Sequence, residues 1–172
     1  MVATKWIDPQ RIRFKITPHY DLKGEMDGNW DLERRFQLSI TAKYRSIVQR
    51  YRNGLPWEDT DLFADTYARR IKTEPIRGEA TMKDLLNQYY TRVDGMFDDL
   101  KRNGFRAEGP LPKLLIGRDG EIFIGNQGNH RLAMAHVLGL DKFAGEVICR
   151  HPLSFTRLAR AGSADLALQG KP

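Results

Sequence analysis

The chain of 172 residues contains a single cysteine, Cys149. One thiol cannot close an intrachain disulfide or form a cysteine-rich zinc site, which excludes disulfide-stapled secreted domains and zinc fingers. The sequence also lacks the roughly 18 consecutive apolar residues that a membrane span needs. Its start, M-V-A-T-K-W-I-D-P, has no apolar core of a secretory signal. These absences predict a cytoplasmic protein with no membrane partner.

The sequence has no internal repeat, no Ser/Gly-rich linker and no low-complexity tract, which predicts one domain over 1–172. Its 41% hydrophobic and 29% charged residues are typical of a globular protein. The 28 Lys and Arg exceed the 22 Asp and Glu, and the net charge of +6 favours anionic partners. Nucleotides, nucleic acids and phosphorylated metabolites all remain open at this point.

The first half of the chain predicts one short strand followed by helices. Apolar and basic residues alternate in Arg11–Ile16, which is typical of a half-buried strand. Turn formers and carboxylates over 17–31 predict a loop. Apolar residues at three- and four-residue steps predict amphipathic helix over much of 34–53. Its other face is basic (Arg45, Arg50 and Arg52), which is typical either of a solvated face or of a nucleic-acid contact.

Further helices are predicted over about 61–71 and from the N-cap Thr81 to Asn103-Gly104. After Gly104 the pattern changes: two short strands, 114–116 and 122–124, are joined at an Asp-Gly turn. A helix then begins near Asn129 and ends at Gly139, and Phe143–Cys149 predicts a last buried strand. Strands and helices in this order predict an α+β fold.

The turn G-N-Q-G-N-H-R at 125–131 joins a strand to a helix N-terminus. Helix N-termini expose unpaired N–H groups, glycine lets backbone approach an anion, and Arg131 and His130 add side-chain donors. The turn is neither a Walker A loop nor a dinucleotide fingerprint, because both spacings are missing. Two interpretations stay open: a phosphate cradle, or a structural turn in which Asn129 only caps and Arg131 only bridges to a carboxylate.

The elements around this turn are F-D-D-L-K-R-N-G-F at 97–105, K-L-L-I-G-R-D-G-E-I-F-I at 113–124, the turn itself, a helix ending L-G-L, and F-A-G-E-V-I-C-R-H at 143–151. This run resembles the N-terminal domain of the ParB/sulfiredoxin superfamily, where a helix ending N-G leads to a strand pair, a G-x-x-R or G-x-H-R turn, a helix and a closing strand. The opening I-D-P-Q-R-I resembles the family's first strand.

The resemblance implies a small mixed sheet with surrounding helices, a core at about 5–16 and 82–151, a helical insert at about 21–80 and a loose tail at 152–172. G-N-W-D at 28–31, P-W-E-D-T at 56–60 and R-H at 150–151 resemble an uncharacterised prokaryotic branch. In the insert, Trp30 and Trp57 fit either core positions or a base-stacking lid.

The resemblance also implies nucleotide phosphates bound at the turn, by Asn126, Gly128, Asn129, His130 and Arg131. The family includes CTP-binding partition proteins, sulfinic-acid reductases and kinases of free serine. Asn129 stands where sulfiredoxins carry their reactive cysteine, which argues against reduction. The sequence ends soon after its last predicted strand, where partition proteins continue into DNA-binding and dimerisation regions, which argues against partition.

These departures favour a Mg²⁺-dependent phosphotransferase or nucleotide hydrolase that takes ATP, ADP or CTP and an unknown small-molecule acceptor. Its expected catalytic residues are His130, Asp31 and Glu33, with further carboxylates at Glu25, Asp27, Glu58 and Asp59, and no metal ligand is assigned. The alternative is a non-enzymatic DNA- or RNA-binding or regulatory module that uses the basic helix surface.

Overall fold

The computed structural model describes residues 3–154 and shows strands and helices in one α+β arrangement. Its strands are β1 (Ala3–Ile7), β2 (Phe14–Ile16), β3 (Gly24–Glu25), β4 (Arg35–Gln37), β5 (Lys113–Ile116), β6 (Ile122–Ile124) and β7 (Phe143–Arg150). Its helices are α1 (Trp30–Glu33), α2 (Ala42–Tyr51), α3 (Ala68–Arg70), α4 (Met82–Asp84), α5 (Thr91–Asn103) and α6 (Asn129–Leu138). π-helical turns at Leu62–Tyr67 and Leu85–Tyr90 lead directly into α3 and α5.

The seven strands of the described residues form one mixed sheet in the order β1-β7-β5-β6-β2-β4, with β3 paired to the end of β7. The pairs β5–β7, β2–β6 and β3–β7 are parallel, and the pairs β1–β7, β5–β6 and β2–β4 are antiparallel. The α+β fold class expected from the sequence is therefore confirmed.

Both faces of the central strands are buried. In β5 and β6, Leu114 and Ile124 belong to a large cluster with α2, α5 and α6. Leu115 and Phe123 face the other way, into a smaller cluster with Trp30 and other residues (Ile16, Leu22 and Cys149). Because successive side chains of a strand point to opposite faces, a strand buried on both sides is apolar at neighbouring positions.

The predicted helix over 34–53 is right only in its second half. Residues 35–37 form β4 at the edge of the sheet, and α2 begins after Thr41, whose hydroxyl accepts a hydrogen bond from the Tyr44 N–H at 3.4 Å. Phe36 and Ile40, which are the first two apolar residues in the spacing that predicted this helix, are 47% and 58% exposed. Their spacing matched a helix by coincidence, and the pairing of β4 with β2 overrides it.

The predicted strand over Arg11–Ile16 is shorter than expected. A 3-10 turn at Pro9–Arg11, capped by the Asp8 side chain, occupies its start, and only Phe14–Ile16 pairs with the sheet. The alternation nevertheless identified the buried side, since Ile12 and Ile16 are fully buried. The helix after Thr81, the 114–124 strand pair, the helix from Asn129 to Gly139 and the last strand are confirmed.

The region 21–80 contains strands as well as helices. β3 and β4 extend the sheet, α1 lies between them along the chain, and α2 and α3 follow β4. The tail expected over 152–172 lies outside the described residues from position 155 onwards. Within residues 3–154, no helix has the length and apolar character that crossing a bilayer requires.

Candidate anion-binding site

The turn between β6 and α6 is held in one conformation by its own residues. The Asn129 side-chain amide donates to the carbonyls of Gly125 and Asn126, at 3.0 and 2.8 Å. Gly128 is the N-cap with φ of +90°, and a Cβ there would lie 2.4 Å from Cβ of Pro112. Glycine is therefore required both for the left-handed backbone and for the close approach of Pro112.

The N-terminus of α6 has no side-chain cap, because Gly128 has no side chain and Asn129 bonds backwards into the turn. The first backbone N–H groups of the helix are consequently left for a solvent or ligand acceptor. Their dipoles add partial positive charge at the same place, so this end of α6 favours an anion.

A cavity of about 320 Å³ opens at this helix end, lined by the turn residues 126–131 together with Lys43, Arg77 and Tyr89. Lys43 comes from the first turn of α2, and Arg77 from the loop between α3 and α4. The Arg77 guanidinium lies 5.3 Å from the centre of the Tyr89 ring, a cation–π distance. We call this cavity the cation pocket.

The three cations of the cation pocket, Lys43, Arg77 and Arg131, form no salt bridge with any residue of the described range 3–154. Arg131 instead donates from Nη2 to the Pro110 carbonyl at 2.6 Å, so the bridge to a carboxylate considered for it is not formed. Cations that face one cavity without a carboxylate repel one another, and a bound anion would relieve that repulsion.

Burial and the neighbouring cations lower the pKa values of both Lys43 and His130 at this pocket. Burial, and then the charges of Arg77 and Lys15, lower the pKa of Lys43 to about 8. Burial, and then Lys43 and Arg77, lower the pKa of His130 to about 3. His130 is therefore neutral at pH 7. It can donate a hydrogen bond to a ligand or accept one from it, but it carries no charge.

Asp31, expected to be catalytic, lies elsewhere and is already engaged. It is 3% exposed, and its carboxylate accepts hydrogen bonds from the Arg118 backbone N–H and guanidinium, both at 2.8 Å. Arg118 belongs to the turn before β6 and the cation pocket to the turn after it, so the two lie at opposite ends of a strand about 10 Å long. Glu33 is exposed on the same short helix as Asp31.

The other carboxylates considered from the sequence do not line the cation pocket either. Glu25, Asp27, Glu58 and Asp59 are exposed. The tryptophans beside them are core residues, since Trp30 and Trp57 are 4% and 5% exposed.

His151 is 1% exposed, and its Nε2 lies 3.1 Å from the Gly28 carbonyl, which ties the end of β7 to the loop before α1.

Of the site residues predicted from the sequence, the structure brings together Asn126, Gly128, Asn129, His130 and Arg131 around one cavity. It separates them from Asp31 and Glu33.

The basic face of α2 is largely neutralised by carboxylates. Arg45 pairs with Asp61, and Arg50 pairs with Asp94 at 3.2 Å. Lys43, on the same helix, has no such partner among residues 3–154 and was not singled out by the sequence. Arg77 was missed for the same reason: no local pattern marks one surface cation among many as unpaired, because the partners of its neighbours come from distant segments.

Comparisons with known proteins identify no relative: no family model, curated protein or solved structure matches this chain.

Proposed function

We propose that the chain binds a nucleoside di- or triphosphate, with the phosphates in the cation pocket. The observation that carries the proposal is the convergence of Lys43, Arg77 and Arg131 on the uncapped N-terminus of α6, with none of the three paired with a carboxylate of the described residues. Guanidinium groups bind phosphate oxygens in bidentate fashion, and helix N–H groups add further donors. Neutral His130 and the ring of Tyr89 complete a wall that has donors and, among the residues the structure describes, no competing acid.

The wall of the pocket suits phosphate oxygens better than a resident metal ion. Within residues 3–154, no Asp or Glu lines it, and no group of three His, Cys, Asp or Glu residues could hold a metal. Mg²⁺ prefers carboxylate, phosphate and water oxygens. The Mg²⁺ of this proposal therefore accompanies the nucleotide, and no step is derived through it.

We extend the proposal to phosphoryl transfer, to an acceptor or to water, as the activity of this site. Such reactions depend mainly on positioning and on neutralising charge at the transferred group. Three cations at one cavity supply that neutralisation. The order of elements supports the same proposal, since the helix, strand pair, turn, helix and closing strand follow one another as the resemblance to the ParB/sulfiredoxin superfamily implies.

The experiment is calorimetric titration with ATP, ADP and CTP, each with Mg²⁺, followed by a phosphorus NMR assay for phosphate release or transfer. We expect binding of at least one nucleotide. Arg131→Ala and Lys43→Met should each weaken it by about tenfold or more, because each removes one charge-assisted contact. Lys101→Met removes an exposed lysine of α5 that is not part of the pocket, and it should leave the affinity unchanged.

Absence of heat with all three nucleotides overturns the proposal, and so does equal affinity in Lys43→Met and Lys101→Met. Binding without turnover would support the nucleotide site and contradict the proposed phosphoryl transfer. Affinity for a single-stranded oligonucleotide that falls steeply with salt and is not displaced by nucleotide would instead favour the DNA- or RNA-binding alternative.

A further inference from the structure

A second and larger cavity, of about 560 Å³, lies on the opposite face of the sheet from α2, α5 and α6. Its floor includes Leu22 and Ile148, which belong to the smaller hydrophobic cluster on that face. Its walls include His19, Tyr20 and Lys23 from the loop after β2, and Gln127 from the turn before α6. We call this cavity the sheet pocket.

His19 gives the first indication of a ligand. It is 8% exposed, and its Nδ1 atom is buried without a hydrogen-bond partner in the described residues. The opposite edge of the ring packs on Gly125, where a Cβ would come within 3.1 Å of Nε2. Burial, and then the charge of Lys15, lower the pKa of His19, so the ring is neutral at pH 7. A buried ring nitrogen without a partner costs about 1–3 kcal/mol, so His19 is a poorly satisfied part of the pocket wall.

The polar groups of the sheet pocket are mainly donors. The Tyr20 hydroxyl accepts a hydrogen bond from Nδ2 of Asn126 at 3.0 Å, which leaves its own O–H available. Lys23 forms no salt bridge within residues 3–154, and Gln127 is exposed with a free amide. The acid at the pocket, Glu146, is paired with Lys113. An excess of donors over free acceptors favours an anionic ligand.

The apolar part of the wall indicates what that anion carries. Leu22 and Ile148 present hydrocarbon at the floor, and the Tyr20 ring is 73% exposed beside them. An inorganic anion would leave this apolar surface in water, whereas an apolar body would bury it. We propose that the sheet pocket binds a small organic carboxylate with an apolar body, its carboxylate facing Lys23 and Tyr20.

This site is distinct from the nucleotide site. Gln127 borders both cavities, but Lys43, Arg77 and Arg131 line the cation pocket and not the sheet pocket, and His19, Tyr20 and Lys23 line the sheet pocket and not the cation pocket. The proposal therefore does not depend on nucleotide binding and can fail or succeed alone.

The test is an NMR titration of the full chain with 3-phenylpropanoate, followed through the His19 ring nitrogens and the Ile148 methyl groups. Two probes serve as controls: 3-phenylpropanamide, which has the same body without the charge, and propanoate, which has the charge without the ring. We expect saturable shifts at both residues with 3-phenylpropanoate, and binding at least about tenfold weaker for each control probe.

Variants locate the contact. Lys23→Met and Tyr20→Phe change exposed side chains, so the fold should persist, and each should weaken 3-phenylpropanoate binding by about fivefold or more. Lys72→Met, an exposed lysine outside the pocket, should leave it unchanged. The proposal is overturned by no shift up to about 10 mM probe, by equal binding of acid and amide, or by binding that leaves the His19 signals unmoved.

Discussion

At the scale of single residues, Lys43 is the cation of the proposed nucleotide site whose charge titrates nearest to neutral pH. Its pKa is lowered to about 8 by burial and by Arg77 and Lys15. A bound phosphate would oppose these causes and raise the pKa in the complex. Of the neighbouring groups, His130 stays neutral, and Tyr89, whose pKa burial raises, stays protonated around pH 8.

The pH dependence of nucleotide affinity follows from this pKa. Below about pH 7 both the free and the bound protein hold the Lys43 proton, and affinity should be nearly constant. Between the free value of about 8 and the higher value of the complex, binding must take up a proton, so affinity should fall by up to about tenfold per pH unit. Calorimetry between pH 7 and pH 10 measures this. An equally steep fall in Lys43→Met would contradict the assignment.

For Asp31, a structural role and a catalytic role predict different effects of mutation. Burial favours its neutral form, but the hydrogen bonds from the Arg118 guanidinium and backbone N–H outweigh burial and lower its pKa. The stability gained is present above the unfolded pKa near 3.8 and is lost as pH falls through the lower folded value.

Asp31→Asn should therefore reduce the free energy of unfolding at pH 7 by about 2 kcal/mol, because the buried side chain loses its charge-assisted hydrogen bonds from Arg118. Nucleotide affinity should not change, since Asp31 lies beyond the far end of β6. Denaturant unfolding and calorimetry measure the two effects, with Asp65→Asn, an exposed carboxylate assigned to neither site, as the control. Normal stability combined with lost turnover would instead support the catalytic role predicted from the sequence.

At the scale of secondary elements, the loop that carries Arg77 is a tight turn. Arg77 and Gly78 have φ of +58° and +86°, and Ile76 and Glu79 form an isolated antiparallel bridge around them. Positive φ at both central positions is typical of a type I′ turn, for which Asn-Gly is the favoured sequence. Arginine is strained there, so the turn alone does not explain its presence.

Arg77→Asn therefore tests binding without damaging the loop. The thermal midpoint should stay the same or rise, because Asn adopts the left-handed conformation more readily. Nucleotide affinity should drop by about tenfold or more, because one of three cations is lost. Thermal melting and calorimetry on the same preparation measure both quantities. A lower midpoint with unchanged affinity would show that the side chain serves only the fold.

The junction of β6 and α6 requires glycine at position 128. In Gly128→Ala the new Cβ would meet Cβ and Cα of Pro112 at 2.4 and 2.8 Å, in a backbone with φ of +90°. We expect a loss of about 3 kcal/mol in stability and a displaced helix N-terminus that binds nucleotide weakly. Gly139→Ala at the other end of α6 also has positive φ, of +64°, but has open space around it. It should lose only about 1 kcal/mol and keep its affinity.

At the scale of the whole molecule, the sequence predicted the elements whose signals are local. The caps at Thr81 and Gly139, the Asp-Gly turn and the apolar runs of β5 and β6 were sufficient for the second half of the fold. Strands β3 and β4 were missed because two or three residues carry no recognisable period, and only their pairing with β7 and β2 makes them strands. The turn residues of the candidate site were predicted for the same local reason.

The sequence could not predict the remaining parts of the two pockets. Lys43 and Arg77 reach the turn only through the packing of the helices around α6, and His19 reaches Gly125 only because β2 pairs with β6. Which cations stay unpaired is likewise a property of tertiary structure, since Arg45 and Arg50 find their carboxylates in other segments.

The position of Cys149 has a practical consequence. It is the chain's one thiol, lies 1% exposed in β7 against Leu115 and Phe123, and burial raises its pKa to about 11. Alkylation needs an accessible thiolate, so the folded protein should resist labelling until the sheet opens. The rate at which one alkylating group adds, read by mass spectrometry, then reports the opening equilibrium of the central sheet without an engineered probe.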